Sequence, residues 1–104
     1  MNSIVVGRNG LIAKRIVEKI YEDEKMDSKL LFTTSTKKSI DKETVLLDLS
    51  KPNDFDYSVI KKFSNIIMLG GISSPDKCEK NPKKSKSINF DGTKLFIQRC
   101  IELN

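Results

Sequence analysis

The chain of 104 residues has no histidine and only two cysteines, Cys78 and Cys100. The absence of histidine excludes a Ser-His-Asp triad, and the spacing of the two cysteines matches no zinc motif. Two cysteines are too few for a disulfide scaffold, so we interpret both as reduced thiols of a cytoplasmic protein. No apolar run approaches the roughly 20 residues of a membrane helix, and the N-terminus does not resemble a secretory signal.

Acidic residues are in the minority, since 19 Lys and Arg residues outnumber 14 Asp and Glu residues and give a formal net charge of +5. A basic chain can bind nucleic acid or a smaller anion. The charge is spread along the chain apart from a denser stretch over Lys77–Lys86, where no aromatic residues alternate with the lysines. We therefore interpret lysine as the ordinary surface residue and do not expect nucleic-acid binding.

Four short apolar runs predict β-strands that are covered on both faces, because each run is nearly continuous rather than alternating. They are Ser3–Val6, Lys29–Thr34, Thr44–Leu49 and Asn65–Leu69. Apolar residues at helical spacing predict helices over 10–22, 53–63 and 85–103. The polar stretches that remain predict a loop with one helical turn over 35–43 and a surface loop with a short helix over 73–86.

The apolar residues of the first predicted helix recur every fourth residue, at Ile12, Ile16 and Ile20, with Val17 beside them, and indicate one buried face. In the second predicted helix, Asn53 or Asp54 is the expected N-cap.

With right-handed crossovers, this order of strands and helices predicts an α/β fold that fills residues 1–104 as a single domain. It is a truncated Rossmann-type, doubly wound parallel sheet of about four strands in the order 3-2-1-4.

The first strand leads directly into a turn with two glycines, which reads Gly7-Arg8-Asn9-Gly10-Leu11-Ile12-Ala13. The first glycine permits a tight turn, the second leaves room for a pyrophosphate against backbone amides, and Ala13 lets the helix pack on the strand. The positive end of the helix would face the anion. Many turns contain two glycines for structural reasons alone, but the position of this one favours dinucleotide binding. The predicted contacts are Gly7, Arg8, Asn9, Gly10, Leu11 and Ile12.

An acidic residue near the end of the second strand usually binds the ribose 2′-hydroxyl of NAD. This chain has no acid there, because the segment reads Thr33-Thr34-Ser35-Thr36-Lys37-Lys38. Hydroxyls and cations suit a 2′-phosphate, and Arg8 could join them. We therefore predict NADP in preference to NAD, with contacts from Thr34, Ser35, Thr36 and Lys37. The alternative is a solvated loop that does not discriminate between the two.

Asp48 and Leu49 end the third predicted strand, beside the position expected for adenine. The carboxylate could accept a hydrogen bond from the adenine amino group, while Leu49 packs on the ring. An Asp at this point is also the phosphoacceptor of receiver domains. Those domains need an acidic pair after the first strand to hold a metal, and this chain has Gly7 and Arg8 there. The adenine contact is therefore favoured.

The sequence is most specific from the fourth strand onward, where it reads IIMLGGISSPDKCEKNPKKSKSINFDGTKLFIQRC. A small-residue turn is followed by the pattern Asn-x-x-Gly-Thr-x-x-Phe-x-x-x-Cys, formed by Asn89, Gly92, Thr93, Phe96 and Cys100. With the segment Asp76–Glu79, these features resemble the extended short-chain dehydrogenase/reductase family. The closest likeness is to the dTDP-4-dehydrorhamnose reductase-like and nucleotide-sugar epimerase/dehydratase branches. Two departures are Ala13 at the third glycine position and Gly70-Gly71 in place of an alanine-rich turn.

This resemblance implies further cofactor contacts, from Gly70, Gly71 and Ile72 at the ribose on the nicotinamide side and from Asn89. It also implies catalysis by a Tyr with a Lys four residues later, on elements beyond the fourth strand. Tyr21 and Tyr57 have that spacing to a lysine, but they fall in the first two predicted helices, so we interpret both as chance matches. The chain is therefore expected to be the cofactor-binding N-terminal part of a nucleotide-sugar enzyme, without its catalytic residues or its C-terminal substrate domain.

Three functions remain open from the sequence. The first is an incomplete reductase, epimerase or dehydratase, whose nucleotide-sugar substrate binds only to a longer form. The second is a stand-alone, non-catalytic dinucleotide-binding or regulatory module. The third is a nucleic-acid-binding module, which only the net charge supports. The open sheet edge at the fourth strand also predicts aggregation or pairing with a partner, such as a second copy of the chain.

Overall fold

The computed structural model describes residues 2–22, 29–71 and 75–103. Its strands are β1 (Asn2–Val6), β2 (Lys29–Thr34), β3 (Thr44–Leu46) and β4 (Asn65–Met68). The three pairs of neighbouring strands are parallel, and the order across the sheet is β3-β2-β1-β4. The predicted doubly wound sheet and its strand order are therefore confirmed.

The helices of the described chain are α1 (Leu11–Glu22), α2 (Pro75–Lys80), α3 (Pro82–Lys86) and α4 (Thr93–Leu103). Short 3-10 helices cover Lys37–Ser39, Pro52–Asp54 and Tyr57–Lys62, and a π-helical segment, Ser87–Gly92, joins α3 to α4. Within the described ranges, none of these helices has the length and apolar character needed to span a bilayer.

The chain divides into two compact units. The first unit comprises Met1–Leu46 and Lys62–Gly70 and holds the whole sheet with α1; the second comprises Leu47–Lys61 and Gly71–Asn104. The core of the first unit is built on Val5, Ala13 and Phe32, whose side chains are almost completely buried. In the sheet, Val5 pairs with Phe32 on one side and Ile67 on the other, so the central strand carries the apolar contacts in both directions.

The buried face of α1 agrees with the predicted one at Val17 and differs from it at Ile12. Ala13 is fully buried and Val17 packs against the core cluster, whereas Ile12 is 63% exposed. The side chain of Ile20 lies outside the described residues. The reason is steric: a small residue at position 13 lets the helix approach the sheet closely, and Ile12, about 100° around the helix from it, is then turned away.

The third strand is shorter than predicted, because it ends at Leu46 rather than Leu49. Its last pairing joins Leu46 to Thr34, where β2 also ends, so within the described residues the ladder stops at Leu46. The Asp48 side chain then accepts hydrogen bonds from the amide and the hydroxyl of Ser50. A side chain that binds the backbone two residues on favours a turn over a strand.

Two 3-10 segments replace the α-helix predicted over 53–63. The first has Lys51 as its N-cap and Pro52 at its start, so the expected cap at Asn53 or Asp54 is wrong. Between the segments, the carboxylate of Asp56 accepts from both the amide and the hydroxyl of Ser58. Such local bonds compete with the helical ladder, which explains why a correct apolar spacing did not produce one continuous helix.

The lysine-rich stretch predicted as mainly loop is mostly helical, although Ser73 and Ser74 lie outside the described residues. Asn81 separates α2 from α3 and accepts a hydrogen bond from the Lys84 amide, 3.2 Å away, while Pro82 occupies the first position of α3. This arrangement of cap and proline starts a new helix. The core of the second unit contains three aromatic rings with centroid separations of 5.1 to 6.0 Å, from Phe55, Tyr57 and Phe96.

Candidate functional site

Gly7 directly follows β1 at the carboxyl edge of the sheet. Its φ angle is +101°, and a Cβ atom built there would lie 2.8 Å from the backbone nitrogen of Gly70, just beyond β4. Glycine is therefore required both by the backbone conformation and by the approach of the second chain segment. The chain visits β2 and β3 on one side of β1 before β4 on the other, so this contact marks the point where a doubly wound sheet binds ligands.

The amides of the turn are only partly available to a ligand. The Gly7 and Arg8 amides donate to the hydroxyl and the carbonyl oxygen of Thr33, at 3.3 and 2.8 Å, and the Gly10 amide donates to the Gly7 carbonyl oxygen at 3.2 Å. The first helical hydrogen bond runs from Lys14 to Gly10. The amides without a helical acceptor are therefore those of the first turn of α1, at Leu11, Ile12 and Ala13.

The start of α1 is open on its outer side. A Cβ atom at Gly10 would meet only the Gly7 carbonyl oxygen, at 3.4 Å, and Leu11 and Ile12 are 81% and 63% exposed. Large apolar side chains at such exposure are surface that a ligand could cover. The first turn therefore combines unpaired amides, the positive end of a helix dipole and accessible apolar surface.

Asn9 connects the glycine turn to the end of β2. Its side-chain nitrogen donates to the Thr34 hydroxyl at 3.2 Å and to the Ser39 hydroxyl at 3.5 Å. The Thr34 hydroxyl also accepts the Thr36 amide. Two of the predicted contacts, Asn9 and Thr34, are therefore bonded to each other, while Ser35, Thr36 and Lys37 are exposed beside them.

Arg8 lies against the first residues of β3 rather than in solvent. Its Nη1 donates to the Thr44 hydroxyl at 3.3 Å, and its Cζ lies 5.2 Å from the centroid of the Phe32 ring. Its Nη2 is 4.0 Å from a carboxylate oxygen of Asp41. The arginine is thus placed near the end of β2, as the predicted 2′-phosphate contact requires, but it already has an acidic partner.

Asp41 is the residue that the sequence analysis missed. The interpretation that no acid accompanies this edge holds for residues 33–38 and fails in three dimensions. An antiparallel bridge between Asp41 and Thr44 returns the loop to the Arg8 side chain. The pKa of Asp41 is lowered, mainly by the Glu43 amide, then by the Thr44 hydroxyl, with a smaller effect of Arg8. Only an analysis of the whole 35–43 loop could have included this acid.

In the second unit, Asp48 has one carboxylate oxygen bonded to Ser50, whose hydroxyl and amide lower the pKa of Asp48. Leu49 is buried, with only 6% of its surface exposed, so it has little area to present to an adenine ring. Gly71 has a φ of +133°, and a Cβ atom there would lie 2.8 Å from the side-chain oxygen of Asn89. The predicted contacts Gly71 and Asn89 are therefore adjacent, while Ile72 lies outside the described residues.

No protein-family profile and no curated protein sequence matches this chain. Solved structures do. UDP-glucose 4-epimerase from Thermotoga maritima, determined with UDP-glucose, superposes with a TM-score of 0.71 at 14% identity, over 100% of this chain and 35% of its own. L-threonine dehydrogenase from Clostridium difficile superposes with a TM-score of 0.73 at 19% identity, over 98% of this chain and 33% of its own. UDP-glucose 4-epimerase from Thermus thermophilus, in complex with NAD, gives 0.66 at 18% identity, over 99% and 34%.

The chain has a Rossmann-type fold. It spans about a third of the length of the solved structures that it matches. The predicted fold is thereby confirmed, and epimerases and a dehydrogenase are among the structures that share it. Identities below one fifth carry no further conclusion on activity.

Of the two tyrosines of this Rossmann-type chain, Tyr57 has a side chain within the described part of the structure. Its hydroxyl donates to the Pro52 carbonyl oxygen at 2.6 Å, and burial raises its pKa. A proton donor for catalysis needs a pKa closer to the working pH. The interpretation of the Tyr57–Lys61 spacing as a chance match stays a prediction. In the described residues, no group of three His, Cys, Asp or Glu side chains could hold a metal ion.

Proposed function

We propose that the turn and first helical residues from Gly7 to Ile12 bind the diphosphate of a nicotinamide dinucleotide. The observation that carries this proposal is the contact of Gly7 with Gly70 at the point where the strand order reverses, followed directly by the exposed start of α1. The amides of Leu11 and Ile12, at the exposed start of α1, would bind the phosphate oxygens, because the amides of Gly7, Arg8 and Gly10 already have acceptors within the chain.

NADP is the cofactor that we favour, with NAD as the alternative. Arg8 and Asn9 from the turn, with Thr34, Ser35, Thr36 and Lys37 from the end of β2, would surround the adenosine ribose and its phosphate. The side-chain bond between Asn9 and Thr34 supports a shared role for these two segments. The contacts proposed for Asp48, Leu49, Gly70, Gly71, Ile72 and Asn89 rest on the sequence analysis.

The enzyme class proposed for the whole protein is a nucleotide-sugar reductase, epimerase or dehydratase. Two structural neighbours are UDP-glucose 4-epimerases, one determined with UDP-glucose and one with NAD, which supports this class. A threonine dehydrogenase has an equally similar structure. The nicotinamide cofactor is therefore the better supported part of the proposal, and the sugar substrate depends on the sequence resemblance.

The test is a titration of the 104-residue chain with NADPH and with NADH, followed by heat stability. At a free ligand concentration of 100 times Kd, binding stabilises the folded state by about 2.7 kcal/mol, which raises the Tm by roughly 10 °C or more for a chain of this size. No shift with either cofactor at millimolar concentration refutes the proposal.

Gly10→Ala tests the location of the site. The added methyl group meets no atom closer than 3.4 Å in the chain itself, so the variant should fold, but it stands where the diphosphate must approach. We expect the affinity for the cofactor to fall tenfold or more, which is the order of magnitude expected when the hydrogen bonds to one phosphate group are lost. Ser64→Ala is the matched control, because Ser64 lies just before β4, at the amino ends of the strands. This variant should bind the cofactor as the wild type does.

The two remaining functions stay predictions. A non-catalytic module and an enzyme fragment both bind cofactor, and both should fail to transfer hydride from NADPH to a nucleotide-sugar in the form of this chain. Salt-sensitive binding of DNA or RNA in place of the dinucleotide would favour the nucleic-acid function.

A further inference from the structure

Arg8 and Asp41 form a weak ion pair at the place where the ribose phosphate of NADP is proposed to bind. The atoms Nη2 and Oδ2 are 4.0 Å apart, and the side chains are 31% and 51% exposed. An ion pair at this exposure contributes little to stability, because water screens both charges. The guanidinium is therefore free to exchange this carboxylate for a stronger acceptor such as a phosphate.

Asp41 itself is held in place by its own segment. Its Oδ1 accepts the Glu43 amide at 2.9 Å, and its backbone exchanges hydrogen bonds with Thr44 in both directions. Thr44 in turn accepts from Arg8. The carboxylate therefore cannot move far when a ligand arrives, and its negative charge remains beside whatever binds the guanidinium.

The charges on this edge are of both signs. Lys37 and Lys38 lie on the 3-10 turn between Thr36 and Asp41 and are exposed, as is Lys42. They attract any phosphate to the edge, but the carboxylate of Asp41 lies 4.0 Å from the Arg8 guanidinium. A cofactor with a free 2′-hydroxyl leaves this pair intact, whereas a 2′-phosphate must compete with the carboxylate and then remain close to it.

We propose that Asp41 is a specificity-determining residue that opposes binding of a 2′-phosphorylated ribose at Arg8. This inference rests on the proposed dinucleotide site and deepens it. It implies that the preference for NADPH over NADH is smaller than the hydroxyls and lysines of the β2 end predict. It also implies that removal of one charge, at a residue that touches no diphosphate-binding amide, increases that preference.

The experiment measures Kd for NADPH and NADH with the wild type and with Asp41→Asn. The asparagine keeps the Oδ1 acceptor for the Glu43 amide and loses the charge, so the loop should retain its conformation. We expect the Kd for NADPH to fall roughly two- to tenfold, the size of an exposed charge effect on a phosphate, while the Kd for NADH changes by less than about twofold. Asp41→Ser, which also supports the turn, should give the same direction.

Two controls separate the possible results. Asp54→Asn removes one exposed charge from the other compact unit and should leave the NADPH to NADH ratio unchanged. Arg8→Gln should weaken the binding of NADPH more than the binding of NADH. If both Asp41 variants fold, as thermal unfolding would show, and change the two affinities equally or not at all, the inference is wrong while the dinucleotide site stands. If the wild type binds neither cofactor, the proposed function fails first and this inference fails with it.

Discussion

Replacement of Gly7 by alanine is the sharpest structural test of the turn. The residue has a φ of +101°, which L-residues with a side chain rarely adopt. The new Cβ atom would also lie 2.8 Å from the nitrogen and 2.9 Å from the Cα of Gly70, and 2.9 Å from the carbonyl carbon of Leu69. All three atoms belong to the backbone, so no side chain can rotate away to relieve the contact.

The magnitude follows from two separate effects. A left-handed conformation costs about 1–2 kcal/mol for a residue with a Cβ atom, and overpacking against a fixed neighbour costs about 1–3 kcal/mol. The sum of roughly 2–5 kcal/mol is a large part of the about 5–15 kcal/mol that stabilises a domain of this length. We therefore expect Gly7→Ala to lower the Tm by roughly 10–25 °C or to prevent folding.

Urea unfolding followed by far-UV circular dichroism measures this effect, with Gly10→Ala as the matched control. Gly10 does not have a positive φ, and its added Cβ atom makes an ordinary contact at 3.4 Å. The free energy of unfolding of Gly10→Ala should stay within about 1 kcal/mol of the wild-type value, because the loss from a poorer N-cap is offset by a less flexible unfolded chain. If Gly7→Ala is as stable as Gly10→Ala, the close contact of the β1 and β4 ends does not exist.

Two further predictions concern the second unit. Gly92→Ala should destabilise by about 2 kcal/mol or more, although alanine normally stabilises a helix, because its Cβ atom would overlap the Leu49 carbonyl oxygen. A gain of stability in urea unfolding would contradict this contact. Burial raises the pKa of Cys100 from 9.0 to about 11, so its contribution to stability is complete below pH 9 and lost as the pH rises to about 11. Cys100→Ala should flatten the fall of unfolding free energy over that range, and an unchanged slope would argue against a buried thiol.

Apolar patterning predicted the sheet well, because buried parallel strands need nearly continuous runs of apolar residues. The bounds of β2 were predicted to the residue, and those of β1 and β4 to within one. The end of β3 was not, since an apolar run continues through Leu49 after the partner strand has stopped. Apolar spacing also could not distinguish one α-helix from two 3-10 segments, because the deciding bonds of Asp56 and Ser58 are made by polar side chains.

The glycine turn was predictable in position and in the need for glycine at residue 7, since both follow from local sequence. The pairing of its amides was not, because Thr33 reaches the turn only through the registration of β2 beside β1. The predicted buried face of α1 was wrong at Ile12, which the structure exposes. Whether Ala13 or Ile12 faces the sheet depends on how closely the helix packs, which the spacing of isoleucines does not encode.

The sequence by itself determined the order of strands and helices, the turn at Gly7 and the absence of histidine chemistry, because these depend on residue types and short-range spacing. Only the tertiary structure decided which amides remain for a ligand and which acid stands beside Arg8. Asp41 lies 33 residues from Arg8 in the chain and reaches it through strand pairing and a tight bridge at the start of β3. Electrostatic partners are set by distance in space, so a sheet that places distant segments side by side determines them.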